Sequence, residues 1–450
     1  MKLPQPAPDF DTIFQKIAQN NRLQSVLQLA DRLHMEPRYL HWDEIRRRPV
    51  GSGFTHEEWW TALKLKRKAA YRPIPLADKT GEAFCYYITD VVQELLHEID
   101  SGAGGFIGIP DPITNPQTRD RYVVSSLIEE AITSSQLEGA VATREVAKEM
   151  IKSGRKPRDR SEQMILNNFV TMKHIMEIKD KPLTPQLVFD IHRHVTQDAL
   201  DKPDAAGRFR TADEEIRVTD AEGVIYHDPP PADELDARMA RMCDFANGRT
   251  PDAFVHPAIR AILLHFWLAY DHPFYDGNGR TARALFYWSM LRNGYWLFEF
   301  VSISSILVKA PAKYARSFLY TETDENDLNY FVIFQTEVIN RAIKELHVYI
   351  DRKRKEVLDT ETQLQYLRRL NHRQQALMIH ALRHPFQEYT IASHQRSHAI
   401  AYATARADLL ELVSVDLLKQ GKRGKAMVFT ANQQLHERLK ELSKRSSSPN

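Results

Sequence analysis

The sequence predicts a mainly α-helical protein, and three observations predict it. Apolar residues recur at three- and four-residue spacings along most of the chain. Long runs of alternating apolar and polar residues are scarce. The β-prone pieces are short and confined to one turn near residue 220 and to the C-terminal end. The 450 residues are 43% hydrophobic and 27% charged, an ordinary globular composition. At roughly 150 residues per domain that length suggests about three domains. Lys and Arg number 61 against 59 Asp and Glu, so the chain has no global basic field and any nucleic-acid contact must be local. Two cysteines, Cys85 and Cys243, are too few for a disulfide scaffold or a four-thiolate zinc site; they fit a reducing compartment. Met1–Phe10 carries three prolines and lacks the apolar core of a signal peptide. The most apolar run, Ala258–Tyr270, is shorter than the ~20 residues a bilayer requires, and it contains Arg260 and His265. The expectation is a cytoplasmic chain without a membrane span.

Taken in order, residues 1–118 read as a helical N-terminal region without evident chemistry, Glu82–Asp100 being one of its helix-like stretches. Ser101–Thr118, dense in Gly and Pro, marks a boundary. Helical patterning resumes at Tyr122. There Val124, Leu127, Ile128 and Ala131 form a stripe, and Glu138 falls about 40° from its axis at 100° per residue. A carboxylate on the inward face needs a partner. Ser134 shares that face, and Gly139 can end the helix. Glu215–Thr219 and Val224–His227 flank a Gly-containing turn and predict a hairpin. Pro257–Tyr270 reads as a buried helix and Arg280–Arg292 as a second. A charged linking helix is expected over 351–370. The last module, 371–440, shows helices at Gln374–Arg383 and Thr390–Leu412, then two apolar pieces around the basic segment 419–425. That order, with a local charge of +4 over 371–425, resembles a winged helix.

Several motif fragments fail. Gly102–Gly108 lacks the Lys-Ser/Thr of a phosphate loop, and His97-Glu98 lacks the second His of a zinc protease. Asp276-Gly277-Asn278 begins like a calcium loop, but Arg280 stands where the next ligand belongs. The pairs His380/His384 and His394/His398 have no nearby Cys and are read as surface histidines.

The informative stretch is His272–Arg283, HPFYDGNGRTAR. Its two glycines let the backbone turn its N–H groups inward at a helix N-terminus, an anion nest. Arg280 and Arg283 lie on one face of the first turn, where a cation is unfavourable by ~0.3–1 kcal/mol unless an anion joins it. Two of them beside a nest point to a polyphosphate. Asp276 at the same turn can hold Mg2+, which takes one or two carboxylates plus phosphate oxygens. His272 is the group of this stretch able to take a proton near neutral pH.

HPFYDGNGRTAR resembles the signature H-x-F-x-D/E-G-N-G-R-x-x-R of Fic domain proteins at every specified position. The resemblance covers about residues 120–350, with Ala206-Gly207-Arg208-Phe209-Arg210 before the hairpin and His227-Asp228-Pro229-Pro230 at its end. It implies a Fic domain at 119–350, an all-helical core with a β-hairpin flap that clamps a target segment by strand addition. The implied activity is transfer of AMP from ATP to a Ser, Thr or Tyr hydroxyl of a target protein. Carried over by position, His272 is the general base, Asp276 holds Mg2+, Gly277, Asn278 and Gly279 hold phosphates through backbone and amide donors, Arg280 and Arg283 bind the β/γ end, and Phe274 packs the loop. Ser134-Ser135-Gln136-Leu137-Glu138-Gly139 similarly resembles the family's inhibitory motif S/T-x-x-x-E-G/N, on a helix at 122–139. By that resemblance Glu138 pairs with Arg283 and blocks the productive γ-phosphate pose. Val301–Lys309 and Tyr314 are the candidate adenine pocket. The partners this allows are a target protein, the chain's own surface, a second copy in a homodimer, and DNA through 371–440, permitted but not required. Two rival readings remain: the same fold removing AMP or transferring another phosphate-bearing group, and a DNA-binding regulator with a nucleotide-sensing core.

Overall fold

A computed structural model describes residues 2–33, 38–51, 53–104, 116–219, 222–367, 370–383, 387–423, 426–432, 434–435 and 437–439. Side chains within 116–122 and 353–367, and those of residues 383, 423 and 426, lie outside the description. The chain divides into two compact units, Met1–Leu346 and His347–Asn450.

The first unit opens with α1 (Phe10–Gln19), α2 (Leu23–Arg32), α3 (Trp42–Ile45) and α4 (His56–Ala70). A capping box starts α4: Thr55 accepts from the Glu58 backbone while the Glu58 carboxylate accepts from the Thr55 backbone. An antiparallel pair follows, β1 (Arg72–Ala77) and β2 (Ala83–Tyr86), and then α5 (Asp90–Ile99). This corrects the helical reading of Glu82–Asp100. Phe84 and Tyr86 are buried by alternation, and the helix begins only after Thr89 caps it. A short apolar run such as Phe84–Ile88 fits either period, and here the pairing with β1 decides.

Next come α6 (Pro116–Leu137), α7 (Arg144–Ser153), α8 (Arg160–Ile178) and α9 (Pro185–Thr196). The α6 helix stops at Leu137, so Glu138 lies in the closing turn and Gly139 adopts φ +91°. The hairpin is shorter than its β-prone pieces: β3 is Val218–Thr219 and β4 is Ile225–His227. It is followed by α10 (Leu235–Ala246), α11 (Pro257–Asp271), α12 (Asn278–Arg292), α13 (Ser304–Leu307) and α14 (Pro311–Glu322). The centre of this unit is the packing of α11 on α12. Both are buried around most of their circumference, from Ile259 to Leu268 and from Ala282 to Met290. The final helix, α15 (Asn329–Leu367), runs unbroken, so the expected linking helix is the end of a longer one.

Region 1–118 belongs to the same compact unit, and buried charge ties it there. Lys64 Nζ lies 2.6 Å from Asp324 Oδ1, with both side chains fully buried. Tyr330 donates to the other Asp324 oxygen at 2.7 Å, and Arg67 donates to the Tyr330 hydroxyl at 3.0 Å. Tyr39 and Tyr71 each donate to Asp327 Oδ2 at 2.6 Å. The backbone joins in: Cys85 N–H donates to Asn326 O, and Leu328 N–H donates to Cys85 O.

In the second unit, α16 (His372–Arg383), β5 (Glu388–Thr390), α17 (Ile391–His398), α18 (Tyr402–Ser414), β6 (Leu418–Arg423) and β7 (Ala426–Ala431) succeed one another, with an antiparallel sheet ordered β5-β7-β6. The stretch Thr390–Leu412 is therefore two helices, broken where Ala399 takes φ +50°. Met378, Leu409, Leu412 and Phe429 form the core of this unit. Beside it, Asp408 accepts from Arg373 Nε at 2.7 Å and from His394 Nε2 at 3.2 Å. His394 is thus a buried histidine with a carboxylate partner, not a surface one; His384 lies outside the described residues. No cluster of three or more metal-ligating side chains occurs among the described residues. No described helix is long and apolar enough to cross a membrane.

Removing one partner of a buried ion pair strands the other charge at a cost of about 3–5 kcal/mol. Asp324→Ala should lower the urea midpoint of the first unit accordingly. An unchanged midpoint would show that Lys64 finds solvent without that carboxylate.

Candidate active site

The site is built where α11 gives way to α12. His272 caps α11 in the left-handed region, φ +45°, and its N–H donates to Leu268 O at 3.0 Å. Its Nδ1 faces Ala269 O at 3.2 Å. A carbonyl only accepts, so Nδ1 carries the proton and Nε2 keeps the lone pair. Burial foremost, then the neighbouring His227, push His272 down to about 4. The ring is therefore unprotonated at neutral pH, the state a general base requires.

The loop closes on itself. Asn278 accepts from Phe274 N–H at 2.9 Å through Oδ1 and donates to Phe274 O at 2.8 Å through Nδ2. Its amide is thus engaged in shaping the loop. The bond to Phe274 O uses one of the two N–H groups of the amide. Phe274 is fully buried and stacks on His192 with ring centroids 3.8 Å apart. Gly277 takes φ +84°, and a Cβ there would lie 2.7 Å from Thr196 Cγ2.

His192 carries no sequence signature, yet it fixes this loop. Its Nδ1 accepts from Gly207 N–H at 2.9 Å, so its Nε2 carries the proton and donates to Asp276 O at 2.8 Å. Arg210, the last residue of the Ala206–Arg210 stretch, fixes the loop as well. It donates through Nε to His272 O at 2.9 Å and through Nη2 to Pro230 O at 2.5 Å, while its own N–H reaches Pro273 O at 2.9 Å. The only sequence hint of either was the Ala206–Arg210 stretch itself.

The Asp276 carboxylate is half-exposed. It accepts from Arg160 Nη2 at 3.2 Å, from Arg280 Nη2 at 3.4 Å and from Gly277 N–H. Arg160, at the start of α8, also pairs with Asp201 at 2.9 Å and was not anticipated from sequence. Arg280 is buried; its Nη1 donates to Val195 O at 3.1 Å, and its Nε has no partner among the described residues. Arg280 and Arg283 thus turn to different neighbours.

Arg283 is buried and faces the end of α6. Its Nε donates to Ser134 Oγ at 2.8 Å, and its Nη2 to Ser134 O at 3.0 Å and to Glu138 Oε1 at 2.8 Å. Burial opposes the guanidinium charge, but Glu138 outweighs it and the net shift is upward. The Glu138 carboxylate also rests against the first turn of α12: a Cβ on Gly279 would lie 2.1 Å from Glu138 Oε1. One carboxylate therefore occupies both the cation and the helix N-terminus. Further back on α6, buried Glu130 accepts from Tyr287 and Ser302 hydroxyls at 2.8 Å and from Ser304 N–H at 3.1 Å. Ser302 and Ser304, in the stretch expected to line an adenine pocket, are thus tied to α6. Tyr314 bonds His265 Nε2 at 2.8 Å beside Arg283.

Residues 182–290 match the model of the Fic/DOC family. The chain is 24% identical over 257 residues to the protein adenylyltransferase Fic of Nematostella vectensis, covering 56% of this chain and 55% of that one. It is 31% identical over 136 residues to the protein of the same name from Drosophila willistoni, covering 29% of this chain and 24% of that one. The chain thus spans about half, or less, of the length of these curated relatives. A solved structure of a Fic family protein from Desulfovibrio desulfuricans G20 shares the fold, with a TM-score of 0.54 at 19% identity over 77% of this chain and 98% of that one.

The Gly277 geometry makes a prediction of its own. A left-handed residue with a Cβ facing Thr196 is strained, at a cost on the order of 1–3 kcal/mol. Gly277→Ala should lower the thermal midpoint. An unchanged midpoint would remove this glycine from the loop's design.

Proposed function

The chain carries a Fic domain, and from that premise we propose that it is a protein adenylyltransferase, transferring AMP from Mg-ATP to a Ser, Thr or Tyr hydroxyl of a target protein and held back by Glu138. The observation that carries this reading is the seat of the Glu138 carboxylate. It lies on Arg283 and on the first turn of α12, the place where a nucleotide's terminal phosphate would find both a cation and helix N–H groups.

In the forward reaction His272 Nε2 accepts the proton of the target hydroxyl. That oxygen forms a bond to the α-phosphorus as the bond to the pyrophosphate oxygen breaks. Backbone N–H groups at the start of α12 and the Arg283 guanidinium hold the leaving anion. Positioning and charge neutralisation dominate such phosphorus transfers. Asp276 fits Mg2+: a half-exposed carboxylate at the phosphate-binding turn, presently neutralised by Arg160 and Arg280. The metal would supply charge neutralisation of the phosphates there.

The second unit has the helix-strand-helix-helix-strand-strand order of a winged helix. We assign it to partner docking, with DNA permitted by exposed Arg396, Arg406, Lys419 and Lys422. The rival reading of a pure nucleotide sensor leaves the poised His272 base without a task.

Incubation of the full chain with Mg-ATP, followed by intact-mass analysis, tests the activity. Glu138→Gly should raise addition of AMP to the chain itself well above wild type. Arg283 keeps its two bonds to Ser134, so this variant should stay folded. His272→Ala on top should cut the rate by about 10²–10⁴-fold, the usual contribution of a general base, while ATP still binds. Transfer at an undiminished rate would remove His272 from that role.

Asp276→Ala should abolish the Mg2+ dependence of transfer along with most of its rate. Equal rates of the wild-type chain with Mg2+ and with a chelator would show that no metal acts at Asp276.

A further inference from the structure

We propose that His227 is a doubly protonated positioning residue, whose imidazolium fastens the flap strand β4 to the core through both ring nitrogens and by its charge keeps His272 unprotonated. The geometry argues for the two protons. His227 Nε2 lies 2.6 Å from Tyr270 O, and Nδ1 lies 2.7 Å from Glu322 Oε2. A backbone carbonyl and an ionised carboxylate can only accept. A neutral imidazole has one N–H and could satisfy one of them. The pair thus needs a second proton, on the ring or on the carboxylate. The Glu322 side chain is 22% exposed and the His227 side chain 9%, so the carboxylate keeps part of its hydration and its charge, and the ring holds the proton.

The surrounding groups support that state. Burial works against the charged ring, but the bond to Glu322 and its charge outweigh it, with Asp228 adding in the same sense, and the net shift of His227 is upward. Asp228, the residue just after β4, is itself paired with Lys79 at 2.9 Å and Arg217 at 3.2 Å. From α11, the Tyr270 ring stands 4.8 Å from the His227 ring, and Asp271 is spent on Arg238 at 2.7 Å. Arg210 spends its bonds on the carbonyls of His272 and Pro230.

The consequence reaches the base through one helical turn. Tyr270 O belongs to the same last turn of α11 as Ala269 O, which orients His272. The flap is thus pinned to the turn that carries the catalytic ring, and a positive charge beside that ring disfavours a second one on it. The use of an unprotonated His272 rests on the adenylyltransferase reading; the protonation states themselves do not.

Ring-nitrogen resonances of the full-length chain, labelled with 15N-histidine and assigned with His227→Gln and His272→Ala, read both states against pH. In the wild-type chain His227 should remain an imidazolium at neutral pH, and His272 should titrate near 4. Glu322→Gln has the same shape and can donate to Nδ1, so His227 should become neutral with both bonds kept. His272 should then titrate about one unit higher, and the acid limb of AMP transfer should move with it. A merely structural role would lower the rate equally at every pH. His227→Gln should shift His272 in the same direction; where that variant fails to fold, Glu322→Gln decides. A neutral His227 ring at neutral pH in the wild-type chain, or a His272 titration unmoved by Glu322→Gln, overturns the proposal. Should neither the wild-type chain nor Glu138→Gly transfer AMP, the adenylyltransferase reading falls while these titrations still decide the coupling.

Discussion

Two helices that are apolar on nearly every face can offer polar chemistry only at their ends. That constraint governs this molecule. The α11 and α12 helices bury Ile259–Leu268 and Ala282–Met290 against each other and their neighbours, so the reactive groups gather at the one junction between them. His272 ends the first helix, and Gly277 through Gly279 begin the second. The junction is held from outside as well: Asn278 closes it, His192 grips Asp276 O, and Arg210 grips His272 O. A loop fixed at three points keeps its N–H groups aimed without a ligand present.

Burial also dictates the electrostatics. Arg283 is drawn into the interior with its helix, and a buried guanidinium must be answered by anions or carbonyls. Ser134 answers it from α6 and Glu138 from the turn that closes that helix. Asp324 and Lys64 answer each other in the same way at the opposite end of the sequence, and that pair binds region 1–118 to the loop ahead of α15.

Much of this was legible in the residues. The helical character followed from spacing, and the twelve residues His272–Arg283 marked the site because glycine, arginine and acid fall there at fixed offsets. Ser134 and Glu138 stood out by their angle on a helix and by resemblance. What escaped was set by distant partners. Phe84–Tyr86 became a strand because β1 lies beside it. Ala399 broke one expected helix into two. His192, Arg160 and Glu130 act through side chains that meet the site only after folding, and no local pattern distinguishes them from ordinary helical residues. The bonds by which Asn278 closes the loop on Phe274 were not foreseen, since a backbone partner is invisible to a motif.

The α6 helix holds on at two places of unequal character. Glu130 is buried and collects donors from Tyr287, Ser302 and Ser304, whereas the Glu138 side chain is 26% exposed and engages one arginine. An incoming anion that displaces Glu138 therefore dislodges a side chain and leaves the helix seated. Side-chain rotation occurs in picoseconds to nanoseconds, many orders faster than the movement of a packed helix. The inhibitory contact proposed for Glu138 would therefore set no clock of its own: its release would follow the arrival of the competing ligand, and its recovery the ligand's departure.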